Sequence, residues 1–234
     1  MQVTFREKIK LKWIYAFRKI MGLEYIAGHL VATYNIDKNA KIVDLGGNLG
    51  LFSYEMNKRY GCKCYCVEPD PRLFEKIPAG KGIKKYNVAV MDTDGQMNFT
   101  LSENSEANSF NPVIASLWGK GKVINVQTWS LKTLKREIEV DNISLLKIDI
   151  EGSEVPFLKN LSDEELLNIP QITIEFHECL DVSLKNDTLN IIKRMKELGF
   201  IMMAYSKKNF SDVLFLNKKL IKVNWRQRLW NSLY

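Results

Sequence analysis

The chain has 234 residues, of which 46% are hydrophobic and 26% are charged, with 13 glycines, 6 prolines and a formal net charge of +7. This composition is typical of a folded globular protein and excludes a collagen-like chain, a disordered chain and a small disulfide-stabilised protein. No run of roughly 18 apolar residues occurs, which excludes a transmembrane helix, and the charged first stretch is not a secretory signal, so we expect a cytoplasmic protein.

The positive charge is concentrated at the two ends of the chain, and the middle is slightly acidic. Apolar and aromatic residues within 5–21 recur at helical spacing among basic ones, which predicts a basic amphipathic helix in an N-terminal extension over residues 1–36. A C-terminal tail, residues 219–234, repeats the mixture of tryptophan and arginine. Such a helix either packs on the edge of a domain or lies on an anionic membrane, and the second alternative predicts peripheral membrane contact through residues 1–24 and 219–234.

From residue 41 onward, short β-rich runs alternate with helical stretches, which predicts βαβ units and a mostly parallel sheet in a domain over residues 37–218. The predicted strands lie near residues 41–45, 63–68, 84–90, 143–149 and 171–177, with a strand pair at 95–101 and 121–127 and a terminal hairpin at 201–205 and 212–216. The predicted helices lie near residues 49–60, 71–77, 130–138, 153–160 and 186–198.

Three of the four cysteines, Cys62, Cys64 and Cys66, alternate along the second predicted strand, and Cys179 is the fourth. Thiols two residues apart on one strand face are roughly 6.6–6.8 Å apart, too far for neighbouring ligands of one zinc ion. We therefore expect small buried apolar side chains in a reducing compartment. His29 lies in an apolar stretch that we expect to be helical, with a structural role.

A glycine-rich turn follows the first predicted strand and runs directly into a helix. It comprises Asp44 at the strand end, then Gly46, Gly47, Asn48 and Gly50. Glycines there let the backbone approach a ligand closely, and a carboxylate before the turn favours a positively charged ligand over a pyrophosphate. We therefore expect these residues to bind S-adenosylmethionine, which carries an ammonium and a sulfonium group.

Acidic residues also follow the second predicted strand. Glu68 is placed to accept both hydroxyls of an adenosine ribose, with Pro69 and Asp70 in the turn beside it. Ala89 belongs to the stretch after the third strand, where the adenine edge would lie. We therefore assign these four residues to the same cofactor site.

A second strand-to-helix junction carries Asp149, Glu151 and Glu154. Because ligands sit outside the carboxyl ends of parallel strands, Asp149 and Glu151 should face the same crevice as the glycine turn. Either Ser153 or Glu154 is expected to cap the helix that follows.

Together these motifs resemble the FkbM-type S-adenosylmethionine-dependent methyltransferases. The resemblance covers roughly residues 40–216, in the family's order and spacing, and implies a Rossmann-like class I methyltransferase fold with a seven-stranded sheet. It also implies methylation of a hydroxyl on a sugar, glycan or small metabolite. If the basic ends contact a membrane, we expect that acceptor to be lipid-linked. The sequence departs from the family pattern at residues 127–130, where an acid before the next helix is missing. The resemblance is carried by residues 44–50, 68–69, 87–90, 94–95, 146–154 and 174–177.

Methyl transfer by direct displacement requires the acceptor oxygen in line with the methyl group and a base for its proton. Asp149 is the first candidate base and His177 the second, while Glu151 and Glu175 would orient the acceptor or its base. Glu175 and His177 lie two residues apart on the fifth predicted strand, hence on one face. His177 could instead be structural, or could hold a divalent metal together with Asp149; we expect no metal, because acids beside a cationic cofactor have another explanation.

The acceptor and the wider function stay open at this point. The loop over residues 102–111, followed by Trp118, suits either sugar binding or a solvated surface. An RNA ribose methyltransferase, a NAD-dependent oxidoreductase and a non-catalytic cofactor-binding module remain alternatives. Nucleic acid is not an expected partner, because the positive charge is terminal, and the sequence leaves the oligomeric state undetermined.

Overall fold

The computed structural model describes residues 21–102, 108–117, 121–204 and 210–232, and these residues contain twelve strands. The strands are, in chain order, β1 (Leu23–Ile26), β2 (His29–Ala32), β3 (Lys41–Leu45), β4 (Lys63–Val67), β5 (Ile83–Tyr86), β6 (Ala89–Val90), β7 (Gly95–Leu101), β8 (Lys122–Trp129), β9 (Leu145–Ile148), β10 (Gln171–Ile174), β11 (Phe200–Ala204) and β12 (Val213–Asn217).

The described residues also form eight α-helices and two short 3-10 turns, Thr33–Asn35 and Val182–Leu184. All five predicted helices are present, although the one expected near residues 71–77 ends at Phe74. The helices are α1 (Leu51–Tyr60), α2 (Pro71–Phe74), α3 (Pro112–Ser116), α4 (Leu131–Glu137), α5 (Glu154–Asn160), α6 (Asp163–Leu167), α7 (Lys185–Glu197) and α8 (Trp225–Ser232).

The central sheet has seven strands in the order β11-β12-β10-β9-β3-β4-β5. Neighbouring strands from β10 to β5 pair in parallel, and β12 runs antiparallel between β10 and β11. The predicted Rossmann-like α/β architecture with a terminal hairpin is therefore confirmed. The turn of that hairpin, with the end of its first predicted strand, lies outside the described residues.

The carboxyl ends of the parallel strands meet at one edge of this sheet. Leu45, the last residue of β3, lies between Val67 of β4 and Ile148 of β9 in register. The residues that follow these strands are therefore neighbours in space, although they are far apart in sequence. This edge brings together the glycine turn, Glu68 and Asp149, which is the general arrangement of ligand sites in open parallel sheets.

A second sheet of three strands, in the order β6-β8-β7, stands beside the first. The predicted pairing of the strands near 95–101 and 121–127 is confirmed as β7 and β8. The single strand predicted over residues 84–90 is wrong, because the chain leaves the central sheet after Tyr86 and β6 joins β8. The Asn87 side chain marks this break by donating to the carbonyl oxygens of Glu68 and Pro69 at 2.8 and 3.1 Å.

The described part of the N-terminal extension is a hairpin rather than a helix, so the helical prediction is wrong for residues 23–32. Gly28, with φ +91°, lies in the connecting turn. The hairpin is fixed to the main sheet because Gln171 of β10 exchanges two hydrogen bonds with the Ala32 backbone, at 3.1 and 3.2 Å. The helix predicted within residues 5–21 lies almost entirely outside the described residues, and the boundary at residue 36 stays a prediction.

Apolar side chains fill both faces of the central sheet. Val43 and Leu45 belong to a large cluster with α4, α5 and α7, and Ile42 belongs to a second cluster with α1, as the alternation of strand side chains requires. Cys64 and Cys62 are buried in the second cluster, as predicted. Their sulfur atoms are 3.8 Å apart, closer than expected for two strand residues, because Cys62 precedes β4.

The C-terminal tail contains α8, whose first residues contact the N-terminal part of the fold. Gln227 donates to the Met21 carbonyl oxygen at 2.9 Å and accepts from the Tyr34 hydroxyl at 3.2 Å. Among the residues that the structure describes, no helix combines the length and the apolar character needed to cross a membrane.

Candidate active site

A cleft that opens to solvent lies at the carboxyl edge of the central sheet. Its lining follows the strand order, so its character changes from one side to the other. Asp149 and Glu151 after β9 make one side acidic, Glu68 after β4 lies in the middle, and the far side beyond β5 is apolar. The apolar wall consists of Leu73, Val88, Ala89, Val90, Met91, Phe99 and Phe110.

The glycine turn forms the floor of the cleft. Gly46 has φ +74° and approaches β9 so closely that a Cβ atom there would lie 1.7 Å from the Asp149 carbonyl oxygen. A Cβ at Gly47 would lie 2.2 Å from the Cys66 sulfur. Gly46 and Asn48 line the cleft, whereas Gly47 and Gly50 pack against neighbouring side chains away from the cleft. The turn is therefore glycine-rich chiefly because neighbouring strands crowd its backbone.

Asp44 does not line the cleft, contrary to the expectation that it meets the ligand. It is fully buried beneath the turn, where Ser53 of α1 donates a hydrogen bond to Oδ2 at 2.7 Å. The ammonium of Lys147 lies 3.2 Å from Oδ1. The Asp44 charge is thus compensated within the protein, and the carboxylates nearest the cleft are those of other residues.

Lys147 on β9 is a buried ammonium group that joins the turn to the acidic side of the cleft. Its Nζ donates to the carbonyl oxygens of Leu45 and Gly46 at 3.2 and 2.6 Å, and it lies 3.5 Å from Asp149 Oδ2. Burial opposes its charge, but the carboxylates of Asp44 and Asp149 outweigh this effect and raise the pKa of Lys147 above its usual value. Lys147 is therefore a buried cation that stabilises the glycine turn next to Asp149.

Glu68 lies at the middle of the cleft, as the sequence predicts. The backbone N–H groups of Asn48 and Asp70 donate to its two carboxylate oxygens at 2.8 and 2.9 Å. Each oxygen keeps a second acceptor position. Burial raises the pKa of Glu68 to about 7, despite these hydrogen bonds. The group can therefore accept two further hydrogen bonds in its ionised form.

Two other predicted cofactor residues line the cleft, and one does not. Pro69 and Ala89 contribute to the wall. Asp70 is fully buried and forms a bidentate ion pair with Arg72, with Nη2 at 2.7 Å and Nε at 3.0 Å from its oxygens. Asn108 also donates to Asp70 at 2.7 Å. Asp70 lies at the start of α2 and holds Asn108, which belongs to a segment that crosses the cleft. The structure therefore does not support direct contact between Asp70 and a cofactor.

Asp149 stands at the acidic side between two histidines. Its Oδ2 is 3.5 Å from both Lys147 Nζ and His29 Nε2, and its Oδ1 is 3.9 Å from His177 Nε2. Burial alone would raise the pKa of Asp149, but the Lys147 charge and the His29 contact hold it well below its usual range. His29 lies on β2 and its ring reaches this cluster, so the helical part of that prediction is wrong, while the structural role of His29 stays a prediction.

His177 is held between two carboxylates. Its Nδ1 is 3.0 Å from Glu154 Oε1, and its Nε2 is 3.2 Å from Glu151 Oε2. Burial would favour the neutral ring, but these two acids raise the pKa of His177 to about 12. Both ring nitrogens face carboxylates, so neither is placed to take a proton from an acceptor hydroxyl, and the structure does not support the second-choice role of His177 as a base.

Glu175 follows β10 and is close to Asp149 and His29. Burial and the Asp149 charge raise the pKa of Glu175 to about 7, and its carboxylate makes no hydrogen bond or ion pair with another described residue. Glu175 and His177 do not share a strand face, because β10 ends at Ile174 and a turn begins at His177. The fold nevertheless brings Glu175 and His177 close to Asp149 and Glu151, and of these four residues Asp149 and Glu151 line the cleft.

A segment over residues 108–117 crosses the cleft and connects its two sides. Asn108 Nδ2 donates to Asp70 next to Glu68, Ser109 Oγ donates to the Glu151 carbonyl oxygen, and Asn111 Nδ2 donates to Asp181 at 2.9 Å. Phe110 from this segment packs on Phe99 of β7, with ring centres 4.7 Å apart. The rest of the predicted acceptor loop, with Trp118, lies outside the described residues.

Three important residues were not assigned from sequence. Lys147 could have been noticed, because it lies two positions before Asp149 on the same strand face. Glu154 was assigned only a helix cap; it accepts from the N–H groups of Ile150 and Gly152 and also holds His177. His29 gave no signal, because its contact with Asp149 joins residues distant in sequence.

The sequence is similar to those of known methyltransferases. The model of the methyltransferase FkbM domain family matches residues 44–202. The methyltransferase sdnD of Sordaria araneosa is 24% identical over 205 residues, covering 73% of this chain and 76% of sdnD. The hexuronic acid methyltransferase AglP of Haloferax volcanii is 23% identical over 143 residues, covering 59% of this chain and 56% of AglP.

Among solved structures, the methyltransferase FkbM of Methylobacillus flagellatus is similar with a TM-score of 0.48 and 14% identity, covering 77% of this chain and 44% of that one. This chain therefore spans just over half of AglP and less than half of the solved FkbM protein. Because the family model covers more than half of the sequence, including the glycine turn and the acidic strand ends, the chain belongs to the methyltransferase FkbM domain family.

Proposed function

We propose that this protein is an S-adenosylmethionine-dependent O-methyltransferase that methylates a hydroxyl of a sugar, glycan or small metabolite. The proposal depends on one observation: the cleft has an apolar wall on one side, a buried glutamate in the middle and an acidic cluster on the other side, in the order of the strand ends. When bound, S-adenosylmethionine supplies an electrophilic methyl group on a sulfonium centre. The family membership supports methyl transfer as the reaction class.

The residues of the cleft suit that cofactor. Glu68 has one acceptor position left on each oxygen, which matches the two hydroxyls of a ribose. The apolar wall around Ala89 and Phe99 suits a purine ring. Asp149 and Glu151 provide negative charge for the sulfonium side, a role that Asp44 cannot fill because Lys147 neutralises it.

The acceptor would enter beside Asp149, whose ionised carboxylate can accept a hydrogen bond from the attacking hydroxyl. Orientation of the two reactants contributes roughly 7–11 kcal/mol to such reactions, and proton acceptance about 10²–10⁴-fold. Positioning is therefore the larger contribution. Glu151, held by His177 at 3.2 Å, lies on the same side of the cleft and would orient the acceptor.

A sugar acceptor is supported by the similarity to AglP, which is named a hexuronic acid methyltransferase. The test uses S-adenosylmethionine labelled in the methyl group, with glycan and lipid-extract fractions as acceptors. We expect label in a sugar-containing product and a turnover at least about 10²-fold lower for Asp149→Asn. Cofactor affinity should fall much less than turnover in that variant, because Glu151 still supplies negative charge on the sulfonium side.

The same experiment separates the alternatives. Label recovered in RNA would replace the proposal by a ribose methyltransferase. Saturable calorimetric binding of NAD without binding of S-adenosylmethionine would indicate an oxidoreductase. Binding of S-adenosylmethionine without transfer to any fraction would indicate a non-catalytic binding module.

A further inference from the structure

We propose that Asp149, Glu151 and His177 form a binding site for one divalent cation at the acidic side of the cleft. The inference deepens the proposed function, on which its role in catalysis rests, by adding a cation that would bind the acceptor. The binding itself can be measured without methyl transfer. One carboxylate oxygen from each acid and one imidazole nitrogen all lie within 4.8 Å of one another.

The distances between these atoms suit a single ion. His177 Nε2 is 3.2 Å from Glu151 Oε2 and 3.9 Å from Asp149 Oδ1. Ligands that lie about 2.1 Å from one ion are roughly 3.0 Å apart when adjacent and roughly 4.2 Å apart when opposite. The three atoms can therefore surround one cation with small side-chain adjustments.

Glu154 gives His177 the support that metal-binding histidines usually have. It is fully buried, and its Oε1 accepts from His177 Nδ1 at 3.0 Å. The backbone N–H groups of Ile150 and Gly152 hold the same oxygen at 3.0 and 3.1 Å. A ligating imidazole normally donates its other N–H to such a carboxylate, which fixes the ring orientation. Nε2 is thereby directed toward Glu151 and Asp149.

The two oxygens of Asp149 have different surroundings. Oδ2 faces Lys147 Nζ and His29 Nε2, both at 3.5 Å, whereas Oδ1 faces His177. Oδ1 is therefore available as a single ligand while Oδ2 keeps its structural contacts. Asp149 and Glu151 both line the cleft, so a bound cation would keep coordination positions open toward an acceptor.

An independent observation comes from His29, which is contributed by the N-terminal hairpin and lies outside the region matched by the family model. Its side chain is only 5% exposed, and its ring is directed at Asp149 through Nε2. Its Nδ1 has no hydrogen-bond partner among the described residues. With Asp149 and Glu175 it forms a second group of ligand atoms within 4.8 Å. Two buried imidazoles thus converge on one aspartate from different elements.

Among the described residues, the acidic side of the cleft has fewer cationic side chains than carboxylates. Lys147 is shared between Asp44 and Asp149, and His177 releases its Nε2 proton to solvent when Nε2 binds the ion, so Glu151 then keeps no cationic ion-pair partner in the part of the chain that the structure describes. Glu175 adds a further carboxylate beside Asp149. A divalent ion would supply the missing positive charge. Carboxylate-rich sites with one imidazole suit Mg²⁺ and Mn²⁺.

Such a cation would bind an acceptor that offers two neighbouring oxygens, such as a vicinal diol or a hydroxyl beside a carboxylate. Coordination lowers the pKa of a bound hydroxyl and orients it. The acceptor class is then narrower than any hydroxylated molecule.

The test is Mn²⁺ binding by the full chain after treatment with a chelator, without cofactor. We expect one Mn²⁺ per chain by titration calorimetry and a ¹⁴N coupling from His177 in pulsed EPR. Glu154→Gln should weaken Mn²⁺ affinity about 10–100-fold. Glu151→Gln should weaken it at least as much, and the exposed Glu137→Gln on α4 serves as the matched control with wild-type affinity.

Absence of saturable Mn²⁺ binding by the folded wild-type chain would overturn the site. Absence of a nitrogen coupling would overturn it as well, and this readout needs no variant that might fold poorly. Methyl transfer that continues at full rate in a chelator would remove the catalytic role while the proposed function stands. If the wild-type chain does not bind S-adenosylmethionine, the proposed function is contradicted. The Mn²⁺ titration is made without S-adenosylmethionine, so the two results are independent.

Discussion

At the residue scale, the central feature is a set of buried charges in which Lys147 compensates Asp44. Both side chains are almost inaccessible to water, with exposed fractions of 4% and 0%. A buried ion pair adds little stability compared with apolar residues, but removal of one partner leaves the other without compensation. The pair is therefore a sensitive point of the structure, even though neither group lines the cleft.

We predict that Lys147→Met lowers the free energy of unfolding by about 3–5 kcal/mol, because Asp44 then stays buried without a counter-charge. Urea denaturation measures the change. The surface pair Lys159–Asp187, whose side chains are 47% and 42% exposed, provides the matched control. Lys159→Met should lower the free energy by no more than about 1 kcal/mol. Equal effects of the two substitutions would contradict the role given to Lys147.

Glu68 predicts a pH dependence of cofactor binding. Burial is the main cause that raises the pKa of Glu68; the Asp70 charge also raises it and Lys147 lowers it, and the resulting pKa is about 7. Ribose hydroxyls donate to the ionised carboxylate, so the affinity for S-adenosylmethionine should decrease as the pH falls from 8 to 6. Calorimetric titrations across roughly this range test the expectation.

The variant Glu68→Gln provides the control for that pH series. The N–H groups of Asn48 and Asp70 bond to different oxygens of Glu68, so in the amide one of them would face the NH2 group, and we expect affinity at pH 8 to fall about 10–100-fold. The dependence on pH should also disappear. A wild-type pH profile in this variant would show that another group controls binding.

Single residues illustrate how far the sequence could predict the site. The position of Glu68 in the cleft is predicted correctly, because it follows the carboxyl end of a parallel strand, where ligand sites of such sheets lie. Asp44 was misplaced, because the strand side chain before the turn points toward Ser53 of α1. Charge at a strand end indicates a site, but the direction of the side chain depends on neighbours such as Lys147.

At the scale of elements, the glycine turn couples β3 to β9. Gly46 has no room for a side chain beside the Asp149 carbonyl oxygen, whereas Gly28 in the first hairpin has no atom within 4 Å of an added Cβ. Both glycines have positive φ. The two positions therefore separate backbone strain from steric crowding.

We predict that Gly46→Ala destabilises the protein at least about 2 kcal/mol more than Gly28→Ala does. The left-handed backbone alone costs about 1–2 kcal/mol for alanine, and both variants share it. Thermal or urea unfolding of the two variants measures the difference. Similar losses of stability would show that the turn has more space than the structure indicates.

Element predictions succeeded where the pattern is local. The strands and helices around the glycine turn follow from alternation and periodicity. Helices α3, α6 and α8 are not predicted from the sequence, although Asn111 before Pro112 and the capping box of Ser162 and Glu165 are start signals for the first two. The hairpin β1–β2 was missed for another reason: its apolar run fits helix and strand equally, and contact with β10 and β12 decides the outcome.

Asp94 shows a compensation that the sequence pattern did not reveal. The family's acid before α4 is absent, and Ser130 caps that helix instead by accepting from the Thr133 N–H at 3.2 Å. Asp94, from the adjoining turn, accepts from the Ser130 N–H and the Thr133 hydroxyl, both at 2.6 Å. The helix start therefore keeps a carboxylate, contributed by a different part of the chain.

At the scale of the whole molecule, the fold collects charge at two separate places. The acidic cluster lies at the cleft, and basic residues lie at the C-terminal end, where Lys218, Lys222 and Arg228 are exposed. Trp225 of α8 is 66% exposed, and the Arg226 guanidinium lies 4.9 Å from its ring centre. We propose that this end contacts anionic membranes, which would bring a lipid-linked acceptor near the protein.

That proposal predicts flotation with vesicles that contain phosphatidylserine and no flotation with phosphatidylcholine alone. Binding should decrease with added salt, because the attraction is electrostatic. Trp225→Ala combined with Lys222→Gln should reduce flotation, and the exposed Lys132→Gln on α4 should not. Absence of flotation, or flotation that is insensitive to these changes and to salt, would contradict membrane contact.

The central claim is that the carboxyl edge of β3, β4 and β9 holds an adenosyl cofactor with its ribose on Glu68. A crystal structure with S-adenosylhomocysteine tests it most directly. We predict both ribose hydroxyls within about 3.2 Å of the Glu68 carboxylate and the sulfur atom on the side of Asp149 and Glu151. An empty cleft, or the compound bound at another place, would contradict the account.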